Sequence, residues 1–167
     1  ERNQIHNRLI TATYNITDLI CDKIRANNDT TLYYTTQKSH RIANKSLSQL
    51  FATLDNSVNE LSLGELISSS EAIISNRKEV ERNAEDFFDK AWTNFPSHSD
   101  DYATLREALQ PHHLPESVSA MVVSAMTLNI THSFDETKLD ILIDTYLHHD
   151  SAEVQIRALC GVFIAIL

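Results

Sequence analysis

Apolar residues recur at intervals of three and four along most of this chain, which is the spacing of one face of an α-helix. The first such stripe lies in residues 3–25 and ends at a polar run from Asn27 to Thr30. Only 2 Gly and 3 Pro occur in 167 residues, whereas strand-rich folds use many of both in their turns. The pattern therefore predicts an all-α fold with long helices. The first stripe comprises Ile5, Leu9, Ala12, Ile16, Leu19, Ile20 and Ile24.

A second helix is predicted to begin between residues 31 and 36, and its apolar positions continue to Leu61. The stretch from Thr35 to Lys45 is weakly apolar, so its buried face is poorly defined. We expect one helix over this part of the chain. Its apolar seam comprises Ala43, Leu47, Leu50, Phe51, Leu54, Val58 and Leu61.

Ser62 and Glu65 fit a capping box, in which the serine hydroxyl accepts from the backbone amide three positions on and the glutamate reaches back. A third helix is predicted to begin there. Its apolar period continues over residues 63–95, which favours one long helix, and a break near Asn76 is the alternative. Pro96 ends the helix, because proline cannot continue the hydrogen-bond ladder.

Beyond Pro96 the predicted helices are shorter and more apolar. Asp135 can cap one of them, and Asp150, with Glu153 three positions later, can cap the last. Short capped helices packed in pairs are typical of α-solenoids. The predicted helices cover about residues 101–110, 116–131, 135–148 and 151–167.

Two segments of this back half align at a spacing of 33 residues, Val123–Leu128 and Ile156–Gly161. Each carries a small residue, Ala125 or Ala158, between larger apolar ones. A small residue at such a position lets a neighbouring helix approach closely. The spacing favours a helical repeat, and an ordinary helical bundle is the alternative.

The second segment resembles the inner helix of a HEAT-type repeat. Asp150 lies at the turn before it, followed by Val154, Arg157 and Ala158, although Gln155 stands where that family usually has arginine. The resemblance covers about residues 98–167 and implies a scaffold whose stacked helical pairs expose an extended binding surface. It also implies that the preceding helix is the outer partner of the pair.

These patterns predict two parts that form one continuous packed unit. Residues 1–96 would form a bundle of long antiparallel helices, and residues 97–167 a set of short HEAT-like hairpins in an α-α superhelix. Because the chain begins with Glu1 and ends on an uncovered apolar run, we expect a fragment of a larger protein. The residues expected to form an interaction surface at this end are Phe163, Ile166 and Leu167.

The net charge of −9 is unevenly distributed. Residues 1–50 hold seven Lys and Arg against four Asp and Glu, whereas residues 51–167 hold seven against nineteen. An acidic chain repels phosphate, so we expect no nucleic-acid partner. The longest apolar run is too short for a membrane span. Cys21 and Cys160 lie in apolar helical patterns, where we expect both to be buried and reduced, in a cytoplasmic protein.

Chemical motifs are missing from the sequence. The eight histidines form no zinc-binding spacing, and the pairs of histidines at predicted helix ends are explained by the helix dipole. Asp140 and Asp144 share one helix face, where a solvated role is expected. Gly64 and Gly161 stand alone, so no phosphate-binding loop is predicted. We therefore assign no catalytic, cofactor-binding or metal-binding residue and expect no cofactor.

The leading hypothesis is a non-catalytic helical scaffold or protein-interaction segment whose partners are proteins, including further repeats of the same chain. The alternative is a helical regulatory or enzymatic module whose active site lies outside this segment or on scattered polar residues. An enzyme is the less favoured of the two. A third possibility is a signalling module that dimerises through residues 1–95.

Overall fold

The computed structural model describes residues 2–67 and 70–167, apart from the side chains of Ile42 and Ile67. These residues form helices and no strand, which confirms the all-α class. The eight helices are α1 (Arg2–Asn28), α2 (Leu32–Ala43), α3 (Leu47–Ile67), α4 (Ser70–Thr93), α5 (Ser99–Ala108), α6 (Glu116–His132), α7 (Glu136–His148) and α8 (Ala152–Ile166).

The predicted second helix is in fact two helices, α2 and α3, so that prediction is wrong. Asn44 adopts the left-handed conformation, with φ of 50° and ψ of 30°, and closes α2. Such a residue is a common helix stop, and asparagine tolerates it better than most residues. Ser46 then begins α3, because its hydroxyl accepts from the Gln49 amide while the Gln49 side chain accepts from the Ser46 amide. The weakly apolar stretch of the sequence marked this break.

The predicted single helix over residues 63–95 is also wrong. Arg77 Nη2 lies 3.0 Å from Glu65 Oε1, whereas twelve residues of continuous helix would separate them by roughly 18 Å. The chain therefore folds back between α3 and α4 rather than near Asn76, and Ser68 and Ser69 between them lie outside the described residues. Ser62 caps nothing, since it lies within α3 and its hydroxyl donates to the Val58 carbonyl at 3.0 Å.

The core lies between the antiparallel pair α3 and α4 on one side and α6 to α8 on the other. Helix α4 packs on α6, α8 packs on both α6 and α7, and α2 packs on α4. The predicted seam is buried from Leu47 to Val58, whereas Leu61 is half-buried and Ala43 is exposed in α2. The aromatic ring of Phe87 is buried, and Trp92 is partly buried against the same core. The short helix α5 connects these layers through contacts with α3, α6 and α7.

The helices of the back half begin and end close to their predicted positions. Asp135 caps α7 as expected, because its carboxylate accepts from the Lys138 amide at 3.1 Å. The predicted cap of α8 is wrong by one residue: Ser151 accepts from the Val154 amide. Asp150 instead lies 2.8 Å from His112 Nε2. The Asp150 carboxylate thus contacts a histidine in another loop and does not cap α8.

Helices α6 and α8 cross closely at Gly161. Ala125 and Ala158 are both fully buried, and Gly161 of α8 faces Thr127 of α6. A methyl group at Gly161 would overlap Thr127 Oγ1 and lie 3.2 Å from Leu142 Cδ1. The glycine is therefore required by the approach of α6 to α8 and not by an unusual backbone angle.

We expect Gly161→Ala to lower the free energy of unfolding by about 1–3 kcal/mol, because the added methyl overpacks this crossing. On an exposed helix face the same change would raise stability by ~0.5–1 kcal/mol. Urea unfolding measures the difference, and adding Thr127→Ala should relieve most of the loss. A more stable Gly161→Ala variant would contradict the close crossing.

Candidate interaction site: the projecting helix α1 and the groove on α4

Helix α1 carries its apolar stripe on an open surface. Every residue from Arg2 to Asp18 is exposed, and α1 contacts the other described helices only near its C-terminal end, where it packs on α2 and reaches His132 of α6. The side chains of Ile5, Leu9, Ile16 and Ile20 are between 53% and 68% exposed. The sequence correctly predicted the stripe, but in this structure the stripe faces solvent rather than the core.

Basic residues accompany the stripe. At 100° per residue Arg8 lies at one edge of the stripe and Arg2 falls within it, and no Asp or Glu occurs between Arg2 and Thr17. The whole of α1 contains four basic residues (Lys and Arg) and two acidic residues, both Asp. The apolar stripe is therefore carried by a cationic helix on a chain whose net charge is −9.

The last turns of α1 are fixed to the body through Asp22. Its side chain is 6% exposed, and its two oxygens each lie 3.7 Å from a basic nitrogen, on Arg41 of α2 and on His132 of α6. Ala26 of α1 is buried beside Tyr33 and Tyr34. This anchor holds α1 at its C-terminal end and leaves its N-terminal two thirds free of the body.

Burial sets the charge state of this anchor. The His132 ring stacks on Tyr33 with centroids 3.8 Å apart. Desolvation lowers the pKa of His132, against the opposing effect of the Asp22 carboxylate. Desolvation also raises the pKa of Tyr33, so its hydroxyl stays protonated. The permanent charge of Arg41 is therefore the main partner of Asp22 at neutral pH.

An apolar groove of about 300 Å³ lies where α3, α4 and the start of α6 meet. Glu81 and Glu85 form one wall, one helical turn apart, and both are exposed. Within the described ranges neither of these carboxylates has an ion-pair partner. Arg77, at the end of the groove, forms an ion pair with Glu65. The apolar lining comprises Leu61, Val80, Ala84, Pro115, Val118 and Met121.

A second, polar groove of about 300 Å³ lies between α2 and α4. His40, Asp86 and Asp89 line it. Desolvation lowers the pKa of His40 and raises that of Asp89. The imidazole is thus a neutral base beside two carboxylates, an arrangement that the sequence did not indicate because the residues lie more than 40 positions apart.

Lys138 is the most completely buried charge in the described chain and was not predicted as such. It is 1% exposed, and its Nζ donates to Asn129 Oδ1 and to the Asn94 carbonyl and lies 3.8 Å from Asp135 Oδ2. Asn129 Nδ2 in turn donates to the Trp92 carbonyl at 2.7 Å. With its donors used within the fold, Lys138 joins the end of α4 to α6 and α7 and is a structural residue.

The residues predicted as an interaction surface lie together at the end of α8. Phe163 and Ile166 are 62% and 70% exposed, and Leu167 is fully exposed. The prediction of two buried cysteines is wrong, because Cys21 and Cys160 both lie on the outer faces of their helices. The apolar stripe of α1 is itself exposed, whereas α8 buries Val154, Ala158 and Gly161 and leaves Cys160 outside that face.

Several histidines pair with individual carboxylates. His113 lies 3.3 Å from Asp55, and His148 lies 3.0 Å from Asp144. In the part of the chain that the structure describes, no three His, Cys, Asp or Glu side chains converge as metal ligands would. No helix there is long and apolar enough to span a bilayer.

Comparison with known proteins gives no family. No family model, no curated protein and no solved structure matches this chain.

Proposed function

We propose that this chain is a non-catalytic helical module that binds protein through the exposed apolar stripe of α1. The observation that carries the proposal is a 27-residue helix whose large apolar side chains face water while only its last turns are anchored. Soluble proteins bury such stripes against a partner.

The size of the stripe supports a stable contact. Each large aliphatic side chain that moves from water into an interface contributes about 1.5–3 kcal/mol. The stripe from Ile5 to Ile24 offers five of these side chains over half exposed, enough to offset much of the ~4–15 kcal/mol cost of association. Amphipathic helices of this kind bind in apolar grooves of their partners.

The back half supports the scaffold part of the proposal. In a HEAT-like arrangement, inner helices of successive repeats pack on one another, and α6 packs on α8, where Gly161 closely approaches Thr127. Arg157 links the two helices through Ser124 Oγ at 3.3 Å. On this interpretation, Phe163, Ile166 and Leu167 form a second contact surface, which takes a further repeat.

The alternative, a helical enzymatic or regulatory module, is supported by the polar groove at His40. A neutral imidazole beside two carboxylates can act as a general base. The hydroxyls of Thr36 and Ser39 line the same groove, but Ser39 donates to the Thr35 carbonyl rather than to His40. The interaction role is therefore the better supported of the two.

Site-specific photo-crosslinking in cells that express the chain tests the interaction role. A photoreactive phenylalanine at position 9 replaces Leu9 in the stripe, and the matched control carries it at Asn7 on the opposite face of α1. We expect protein crosslinks from position 9 and few from position 7. Equal yields at the two positions, or none at either, would overturn the proposal.

A further inference from the structure

We propose that the stripe of α1 binds in the apolar groove of α3, α4 and α6 on a second copy of this chain. This assignment depends on the interaction role proposed above and names its partner. The exposed stripe of α1 on one copy would then be covered by the apolar groove of the other copy.

The apolar surfaces match in size. The groove measures about 300 Å³, and an apolar cavity of ~150 Å³ holds one benzene molecule. The groove thus takes about two aliphatic side chains. Ile5 and Leu9 lie one helical turn apart on α1 and are 61% and 68% exposed. Two anchors at i and i+4 are the usual way in which a helix fills such a groove.

The charges match as well. The open wall of the groove carries Glu81 and Glu85, also one turn apart and without ion-pair partners in the described chain. Arg8 lies beside the stripe next to Leu9, and no acidic residue occurs before Asp18 in α1. A helix with acidic flanks would be repelled here, whereas α1 brings the opposite charge.

Helix α1 does not lie in the groove of its own copy. Its anchor contacts His132 at the end of α6, whereas the groove lies at Ser117 near the start of that helix, roughly 22 Å away along fifteen residues of helix. Residues 2–18 are exposed along their whole length, so the groove is left for another copy.

Sedimentation equilibrium of the purified chain tests this inference. We expect association that increases with concentration. Leu9→Glu should raise the dissociation constant by about 30-fold or more, since it places a carboxylate in an apolar groove with an acidic wall. The matched control, Asn7→Glu, lies on the opposite exposed face and should leave association unchanged.

The groove is tested by Glu81→Lys combined with Glu85→Lys, which should weaken association about tenfold or more. Glu107→Lys combined with Asp140→Lys changes the net charge equally at exposed positions outside the groove. This control should retain association at the wild-type level or better. All four side chains are exposed, so folding should be unaffected, and circular dichroism checks this.

Mixing the variants separates the groove from direct pairing of two α1 helices. The Leu9→Glu chain keeps a working groove, and the Glu81→Lys, Glu85→Lys chain keeps a working stripe. An equimolar mixture should therefore associate more strongly than either variant alone. Pairing of α1 with α1 would instead leave the groove variant fully associated and the mixture no stronger, which would overturn the proposal.

A chain that stays monomeric up to ~1 mM would also overturn the second-copy inference. Crosslinks from position 9 to a different protein would then leave the interaction role intact and show that the partner is not this chain. If the chain stays monomeric and position 9 also gives no more crosslinks than position 7, both proposals are overturned.

Discussion

Asn129→Ala is expected to lower the free energy of unfolding by about 3–5 kcal/mol, as measured by urea unfolding. The substitution removes the amide oxygen that accepts from Lys138 Nζ and the amide nitrogen that donates to the Trp92 carbonyl. Lys138 is 1% exposed and would keep its charge with fewer hydrogen bonds. A buried charge that loses one partner costs far more than an exposed one.

The matched variant is Lys138→Met, which removes the charge and keeps most of the side-chain volume. Replacing a buried charge with an apolar group of similar shape is often close to neutral. Since Asn129 Oδ1 then loses its donor, we expect a cost of about 1–2 kcal/mol. In the double variant Asn129→Ala, Lys138→Met, the loss should be less than the sum of the single losses. A cost below about 1 kcal/mol for Asn129→Ala would show that this network is not buried as described.

The stability of the wild-type chain should rise between pH 7.5 and 9.5 by roughly 2 kcal/mol through Lys138 alone. Desolvation lowers the pKa of Lys138 to about 8, against the opposing carboxylates of Asp135 and Asp101. Because the folded-state pKa lies below the ordinary value of 10.5, the unfolded chain binds the proton more tightly in this window. The destabilisation is therefore fully present below pH 8 and disappears as the pH rises toward 10.5.

Urea unfolding at several pH values measures this slope, and Lys138→Met is the control. Lys90, whose pKa burial also lowers, contributes in both proteins and cancels in the comparison. Tyr102 acts in the opposite direction only at higher pH, since its pKa is raised to about 12. Equal slopes for wild type and Lys138→Met would show that Lys138 titrates as an exposed lysine.

The polar network at Lys138 shows where sequence reasoning fails. In sequence, Lys138 precedes Asp140 and Asp144 on what looks like a solvated helix face, and Asn129 looks like an incidental polar residue in an apolar helix. Their partners are the carbonyls of Trp92 and Asn94 at the end of α4, more than 30 residues away. The carbonyls at a helix end have no donor within their own helix. No local sequence pattern indicates which distant side chain will donate to them.

The helix breaks show a second limit. Leu66 and Ile74 continue the apolar period of the sequence from α3 into α4, yet they are 81% and 56% exposed. Ser62 and Glu65 match the sequence pattern of a capping box, yet Ser62 lies inside α3 and its hydroxyl donates to the Val58 carbonyl. Local motifs compete with tertiary packing, and here the packing of α3 on α4 decided the outcome.

The sequence by itself determined the helical class, the stripe on α1, the seam of α3 and the short helices of the back half, because each follows from local spacing of apolar residues. Tertiary structure alone decided which stripes are buried. The α3 seam is covered by α4, whereas the α1 stripe and Cys21 face water because only the end of α1, at Asp22 and Ala26, contacts the body. Amphipathic spacing specifies that a helix has an apolar face, but only the arrangement of the other helices specifies what that face contacts.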